Sequence, residues 1–415
     1  MLPSPRVLMI AYFFPPMGGV GVQRTLKFVR YLPDHGWQPY VLTVKHGSTL
    51  QDTSLGEEIP TDLPINRTFI LHLPSRLPFR LRNFITRWFL IVDEQIGWFP
   101  FATSAGRKVI VPNTISVIYS SSSPYTSHLV ARKLHHQTGL PWVADFRDPW
   151  VGNPFLSFPT TIHRRINENL ERRVFSEADR VILNTQRSLQ HYQKKYSSLN
   201  PEKFLIIPNG YDQADLPAQR TDLIRRDSFT LVHLGSLYQK SRSASYFLSA
   251  LYQTFQSGKL PRNKVRVRFI GNIDRYSRRL IERYSLDGQV ELLGFLPHRV
   301  AMEQASSSDL LLLIPYYGPG AELFIPAKIY EYLASRIPIL YLDDTGESAD
   351  LIRNARAGWL VAATDIDQIA DTLARLYQLW EAGELTINSD MDLISSFERR
   401  ELTRQLADLF TDISS

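Results

Sequence analysis

Lys328 and Glu331 lie three residues apart in 324–340, a stretch whose pattern predicts a helix, a break at Ile337-Pro338 and then a buried strand. An ammonium and a carboxylate fixed on one helical face can grip a phosphate and sugar hydroxyls. Two further cations, Lys240 and Arg242, stand in the polar loop after the apolar run 230–234. Gly18 and Gly19 sit where a strand hands over to a helix, and glycine there lets a phosphate approach the N-terminal amides, the plainer reading being a tight turn. Asp145, Arg147 and Asp148 follow another apolar run. Two carboxylates bracketing an arginine at a strand's C-terminal end suit the handling of an acceptor hydroxyl, the alternative being an internal salt bridge with Arg147.

The elements that must hold these residues alternate in period. Residues 6–14 read as a buried parallel strand, 15–21 as a loop, 25–32 as a helix stopped by Gly36, and 37–44 as the next strand. A polar, Pro-rich insertion is expected over 47–73. Strands follow at 116–119, 141–146, 178–183 and around 204, with helices at 126–136 and 162–176. In the second half apolar runs recur at 230–234, 265–270, 290–293, 310–314, 339–342 and 359–361. Strands alternating with helices imply a parallel sheet covered on both faces. The expected division is 1–212, a linker or hinge over 213–227, 228–389, and a C-terminal helix from 390 able to cross back to the first domain. The fold class is α/β with two Rossmann-like domains facing across a cleft, the default ligand site.

At 415 residues the chain fits two domains rather than one ordinary core. It has no cysteine, which excludes disulfides, thiolate metal sites and cysteine nucleophiles. A signal peptide is not expected, because the N-terminus runs straight into an apolar strand, and no run is long enough to cross a membrane. The net charge of +6 is modest and no nucleic acid partner is expected. Residues 76–91 hold four arginines and no acidic residue among aromatic and aliphatic side chains, a composition suited to anionic lipid, or to a helix packing its aromatics on the first domain. The expected location is cytoplasmic, peripheral on the inner face of the cell membrane.

The order helix, proline, apolar strand around Lys328 resembles the donor-site signature of GT-B nucleotide-sugar glycosyltransferases, particularly retaining family 4. Other segments resemble that family too: Pro15-Pro16-Met17-Gly18-Gly19, Ile207-Pro208-Asn209-Gly210-Tyr211-Asp212, and the strand ends at Gly235, Gly271 and Gly294. The resemblance spans roughly residues 7–380. It implies donor contacts at Gly18, Gly19, Gly235, Lys240, Arg242, Gly271, Glu322, Lys328 and Glu331, and a catalytic role for Asp145, Arg147 and Asp148. One departure stands out. The family places two glutamates eight positions apart; Glu331 matches the second, Leu323 occupies the first, and Glu322 is one residue off register.

The implied reaction moves a sugar from a nucleoside diphosphate sugar to a polysaccharide or lipid-linked glycan. Retention is implied, with no cofactor and no metal, and Asp343-Asp344 lacks a divalent-metal context. Domain closure would bring 145–148 against Lys328 and Glu331. The competing readings are a sugar-nucleotide epimerase or hydrolase of the same fold and a non-catalytic partner subunit.

Overall fold

Val7, Leu8, Met9 and Ile10 are fully buried in the computed structural model, which describes residues 4–45, 51–74, 76–154, 156–217, 227–238, 242–318 and 320–414. They form β1 (Arg6–Ile10), near the middle of a parallel sheet with β2 (Gln38–Val44), β3 (Ile65–Thr68), β4 (Ile115–Ser122), β5 (Trp142–Phe146), β6 (Arg180–Leu183) and β7 (Phe204–Ile206). Continuous apolar runs suit such strands because both faces are covered. The order is β3-β2-β1-β4-β5-β6-β7, so the chain reverses direction between β1 and β4. In an open parallel sheet the ligand crevice lies outside the strand C-termini at that switch point.

The helices of this unit are α1 (Val20–Tyr31), α2 (Phe79–Phe89), α3 (Phe99–Ile110), α4 (Thr126–Thr138), α5 (Thr161–Glu177) and α6 (Gln186–Lys195). After α1 a tight turn over Leu32–His35 ends at Gly36 in the left-handed conformation, as its glycine predicts. The stretch read as a polar insertion contains edge strand β3, whose Ile-Asn-Arg-Thr sequence has no apolar run to announce it. Residues 46–50 of that stretch lie outside the described residues. Helices α3 and α6 also went unforeseen.

The second unit repeats the plan with β8 (Phe229–Leu234), β9 (Val265–Ile270), β10 (Val290–Gly294), β11 (Leu310–Leu313), β12 (Ile339–Tyr341) and β13 (Gly358–Leu360), all paired in parallel. Its order is β10-β9-β8-β11-β12-β13, with the switch between β8 and β11. Its helices are α7 (Ser245–Gln256), α8 (Arg275–Arg283), α9 (His298–Ser306), α10 (Lys328–Ser335), α11 (Gly346–Asn354), α12 (Ile366–Ala382) and α13 (Met391–Ser395). Two apolar clusters enclose the sheet, one containing Leu310 and Leu312 and the other Leu311 and Leu313, as the pleat requires.

The segment expected as one helix from 390 is two. After α13 the chain breaks and continues as α14 (Arg399–Ser414), which belongs to the first unit. Phe410 of α14 is fully buried against Trp37 at 5.3 Å, and Trp37 donates to Thr411 at 3.2 Å. The compact units are thus Met1–Asn209 with Arg399–Ser415, and Gly210–Glu398. The passage between them falls at Asn209–Gly210 rather than within 213–227, where residues 218–226 lie outside the described residues.

Candidate functional site

The switch point of the second unit gathers the cations. Lys328 opens α10, and its ammonium donates to the Leu234 carbonyl at the end of β8. One turn later the Tyr332 hydroxyl accepts from the Leu234 amide at 2.8 Å, so α10 holds both backbone polar groups of Leu234. The next residue is Gly235 at φ 110°, where a Cβ would lie 2.5 Å from the Lys328 ammonium nitrogen. Glycine takes this φ without strain, and a Cβ there would displace the Lys328 ammonium. The loops after β8, β9 and β10 are laced together by Gly235 N to Ile270 O at 2.7 Å, Leu237 N to Asn272 O at 2.8 Å and Gly271 N to Gly294 O at 2.6 Å. Gly271 packs so closely on Gly235 that a Cβ would meet its carbonyl carbon at 2.7 Å.

The electrostatics of this crevice are one-sided. Burial, and then the neighbouring Arg242, push the Lys328 ammonium down to about 7, with Glu331 opposing. Burial also lowers the Arg242 guanidinium, whose Nε is buried with no hydrogen-bond partner among the described residues. His233 is held neutral, well below the imidazole range, by burial first and then by Lys328. A buried donor without an acceptor is costly, and two cations each depressed by burial, one of them also by the other, call for an anion. Glu331, a carboxylate near Lys328, accepts from or pairs with His298 Nε2 at 2.8 Å and is partly exposed. Glu322 is exposed in the turn Ala321–Leu323, while Leu323 beside it is buried. Lys240 lies outside the described residues.

In the first unit, Gly19 at φ 102° caps α1, with no side-chain cap and no acidic residue in the first turn. Gly18 precedes it in the loop from β1. The first amides of α1 therefore keep the positive end of the helix available to an anion. Arg147 anchors this region: its guanidinium donates to the Ser122 carbonyl, to Gly21 O at 2.7 Å and to Ser123 O at 2.7 Å. It therefore joins the start of α1 and the end of β4 to the end of β5.

Asp145 differs from expectation. It has no exposed surface; Arg24 donates to both its oxygens at 2.7 and 3.0 Å, and the Tyr119 hydroxyl donates as well. Arg24 also donates to Ile207 O at 2.8 Å and Pro208 O at 2.6 Å. The expected internal ion pair thus forms with Arg24 of α1, not with Arg147, whose three guanidinium nitrogens each donate to a backbone carbonyl. Asp145 is thus engaged on both oxygens inside the unit, and Arg147, partly exposed, braces the loops around it. Asp148 is the contrasting carboxylate. Burial raises it above the usual carboxylate range, with Arg147 opposing, and no described side chain or amide hydrogen-bonds it. Near it the Asn184 side-chain amide donates to Arg147 O at 2.5 Å and leaves its own oxygen buried without a partner.

Two residues of these sites escaped sequence reasoning. His298 lies 33 positions before Glu331, a spacing that carries no signal. Arg24 had one: it stands four before Phe28 on a helix facing the core, and its guanidinium lies 5.0 Å from that ring. His128, fully buried with Nδ1 at 2.8 Å from Ser120 Oγ and pushed down to about 3 chiefly by burial, is part of the core.

Comparison with known proteins adds independent findings. Residues 228–379 match the family model described as glycosyl transferases group 1, and residues 17–215 match that of glycosyltransferase family 4. A curated relative, the putative colanic acid biosynthesis glycosyltransferase WcaL of Salmonella typhimurium, is 28% identical over 153 residues, 36% of this chain and 37% of its own length. The aligned region thus spans little more than a third of that relative. Among solved structures, a sucrose-phosphate synthase from Thermosynechococcus elongatus superposes with a TM-score of 0.68 at 15% identity, covering 98% of both chains. Anabaena HepE, solved in complex with UDP-glucose, superposes at 0.63 and 16% identity, covering 98% of this chain and 99% of that one. At such identities the likeness is one of fold.

Proposed function

The chain belongs to the glycosyltransferases of group 1 and family 4, and on that premise we propose that it moves a sugar from a nucleoside diphosphate sugar to a polysaccharide or lipid-linked glycan acceptor. The observation that carries the proposal is the pair Lys328 and Arg242 at the switch point of the second sheet, both depressed by burial and with the Arg242 Nε unpartnered. A diphosphate supplies the missing negative charge. As the anomeric C–O bond breaks, charge accumulates on the departing diphosphate, and preorganised cations stabilise that charge more than they stabilise the bound donor.

The remaining roles are assigned on the same reading. Tyr332 and Gly235 position Lys328, and His298 orients Glu331, assigned here to the donor ribose. Glu322, exposed beside buried Leu323, takes the donor sugar in place of the displaced family glutamate. Amides at Gly18 and Gly19 form a further anion contact, and Lys240 is retained as a diphosphate ligand from the sequence alone. Asp148 receives the acceptor hydroxyl by hydrogen bond, while Arg147 and Asp145 hold the loops around it. With the donor phosphate accepting the acceptor's proton on the face it leaves, the configuration is retained and no protein nucleophile is required.

A thermal-shift screen of the whole chain against nucleoside diphosphates and their sugars tests the reading. Ligands binding only the folded state stabilise it by about 2.7 kcal/mol at a hundred times Kd. One nucleotide class is expected to stabilise the chain, and Arg242→Met to abolish the effect. No stabilisation by any member would overturn the reading.

A further inference from the structure

Helix α2 leaves its apolar side uncovered. None of its described side chains is buried, and Phe84, Trp88 and Phe89 are 51%, 40% and 67% exposed. At 100° per residue, Phe84, Trp88, Leu81, Ile85 and Phe89 fall on one continuous arc of about 140°. Arg80 and Arg87 flank one side of that arc and Arg82 the other. The alternative of aromatics packed on the first domain holds only in part among the described residues: Trp88 meets His163, while Phe84 and Phe89 stay more than half exposed and the rings of Phe84 and Trp88 lie 6.0 Å apart. One end of the helix is fixed, because His163 at the start of α5 lies 3.0 Å from the Trp88 carbonyl with its ring edge-on to the indole at 5.8 Å. Ile162 beside it is 65% exposed. An anchored helix with an open apolar arc, arginines on both its shoulders and no acidic residue over 76–92 is complementary to a surface that is apolar within and anionic at its rim.

We propose that α2, with Ile162 of α5, is a bilayer-docking surface that rests in the headgroup region of an anionic membrane. Phe84, Trp88 and Phe89 insert to the acyl boundary and Arg80, Arg82 and Arg87 meet lipid phosphates. This deepens the reading above, on which it rests only for the acceptor: the surface brings the first unit to a lipid-linked glycan. No helix among the described residues is long and apolar enough to cross a membrane, so docking is peripheral.

Sedimentation of the full chain with phosphatidylcholine vesicles, with and without phosphatidylglycerol, tests it. Binding is expected to the anionic vesicles and to weaken with salt. Each of Arg80→Gln, Arg82→Gln and Arg87→Gln should lower partitioning roughly five-fold. Phe84→Ser with Trp88→Ser should lower it more, with an unchanged melting temperature, because those side chains are exposed. Nucleotide stabilisation in solution should be the same in every variant, so failure of the surface is distinguishable from failure of the donor site. Absence of wild-type binding to anionic vesicles, binding that survives all these substitutions, or a dimer in solution that Phe84→Ser with Trp88→Ser dissolves would each overturn the proposal.

Discussion

Lys328 carries a consequence in pH. Its ammonium lies near 7 in the free chain, and an anion beside it favours the charged form, so the donor complex takes up a proton. Affinity for a nucleoside diphosphate sugar, whose own charge is fixed in this range, is therefore full below pH 7. Above it, affinity falls by roughly tenfold per pH unit until the raised value of the complex is passed. Calorimetric titration from about one pH unit below the free chain's value to about two above it should show this slope, and Lys328→Met should flatten it. The two aspartates of 145–148 give a second contrast. Asp145→Asn leaves the buried Arg24 guanidinium without its countercharge, a loss of about 3–5 kcal/mol and roughly 10 °C in melting temperature. Asp148 is raised by burial, so its ionised form costs stability as pH rises through the raised value. Asp148→Asn should leave stability equal or higher while transfer falls roughly a hundredfold. Equal behaviour of the two variants in calorimetry and in turnover would refute the division of roles.

At the scale of elements, period and punctuation made much of the fold legible. The six apolar runs of the second half each became a strand, because a strand buried on both faces must be apolar throughout. Edge strand β3 was hidden for the converse reason: its Asn66 and Arg67 are only partly covered. Lys328, Glu331 and Gly235 were readable from local spacing and strand ends. The pairing of Asp145 with Arg24, 121 residues away, was not, since nothing local distinguishes one buried arginine from another. The same holds for α14, whose amphipathic pattern announces a helix but not its destination. Phe410→Ala should cost about 3–5 kcal/mol in the melting of the first unit, followed by its near-ultraviolet signal. A change below about 1 kcal/mol would mean that α14 is not part of that core.

The whole molecule repeats one design: two parallel sheets, each with its polar residues gathered where the strand order reverses. On the proposed reading, Lys328 and Arg242 of the second unit take the place that a divalent ion would fill in stabilising a diphosphate. The most direct measurement is transfer itself. The purified chain is incubated in EDTA with labelled nucleoside diphosphate sugars and a lipid extract as acceptor, and both the freed nucleoside diphosphate and the labelled glycan are followed. One donor should yield the two products in equal amounts, with the anomeric configuration kept, and Lys328→Met and Arg242→Met should each slow transfer roughly a hundredfold or more. Transfer at the wild-type rate by both variants, or loss of transfer in EDTA restored by a divalent ion, would contradict the account.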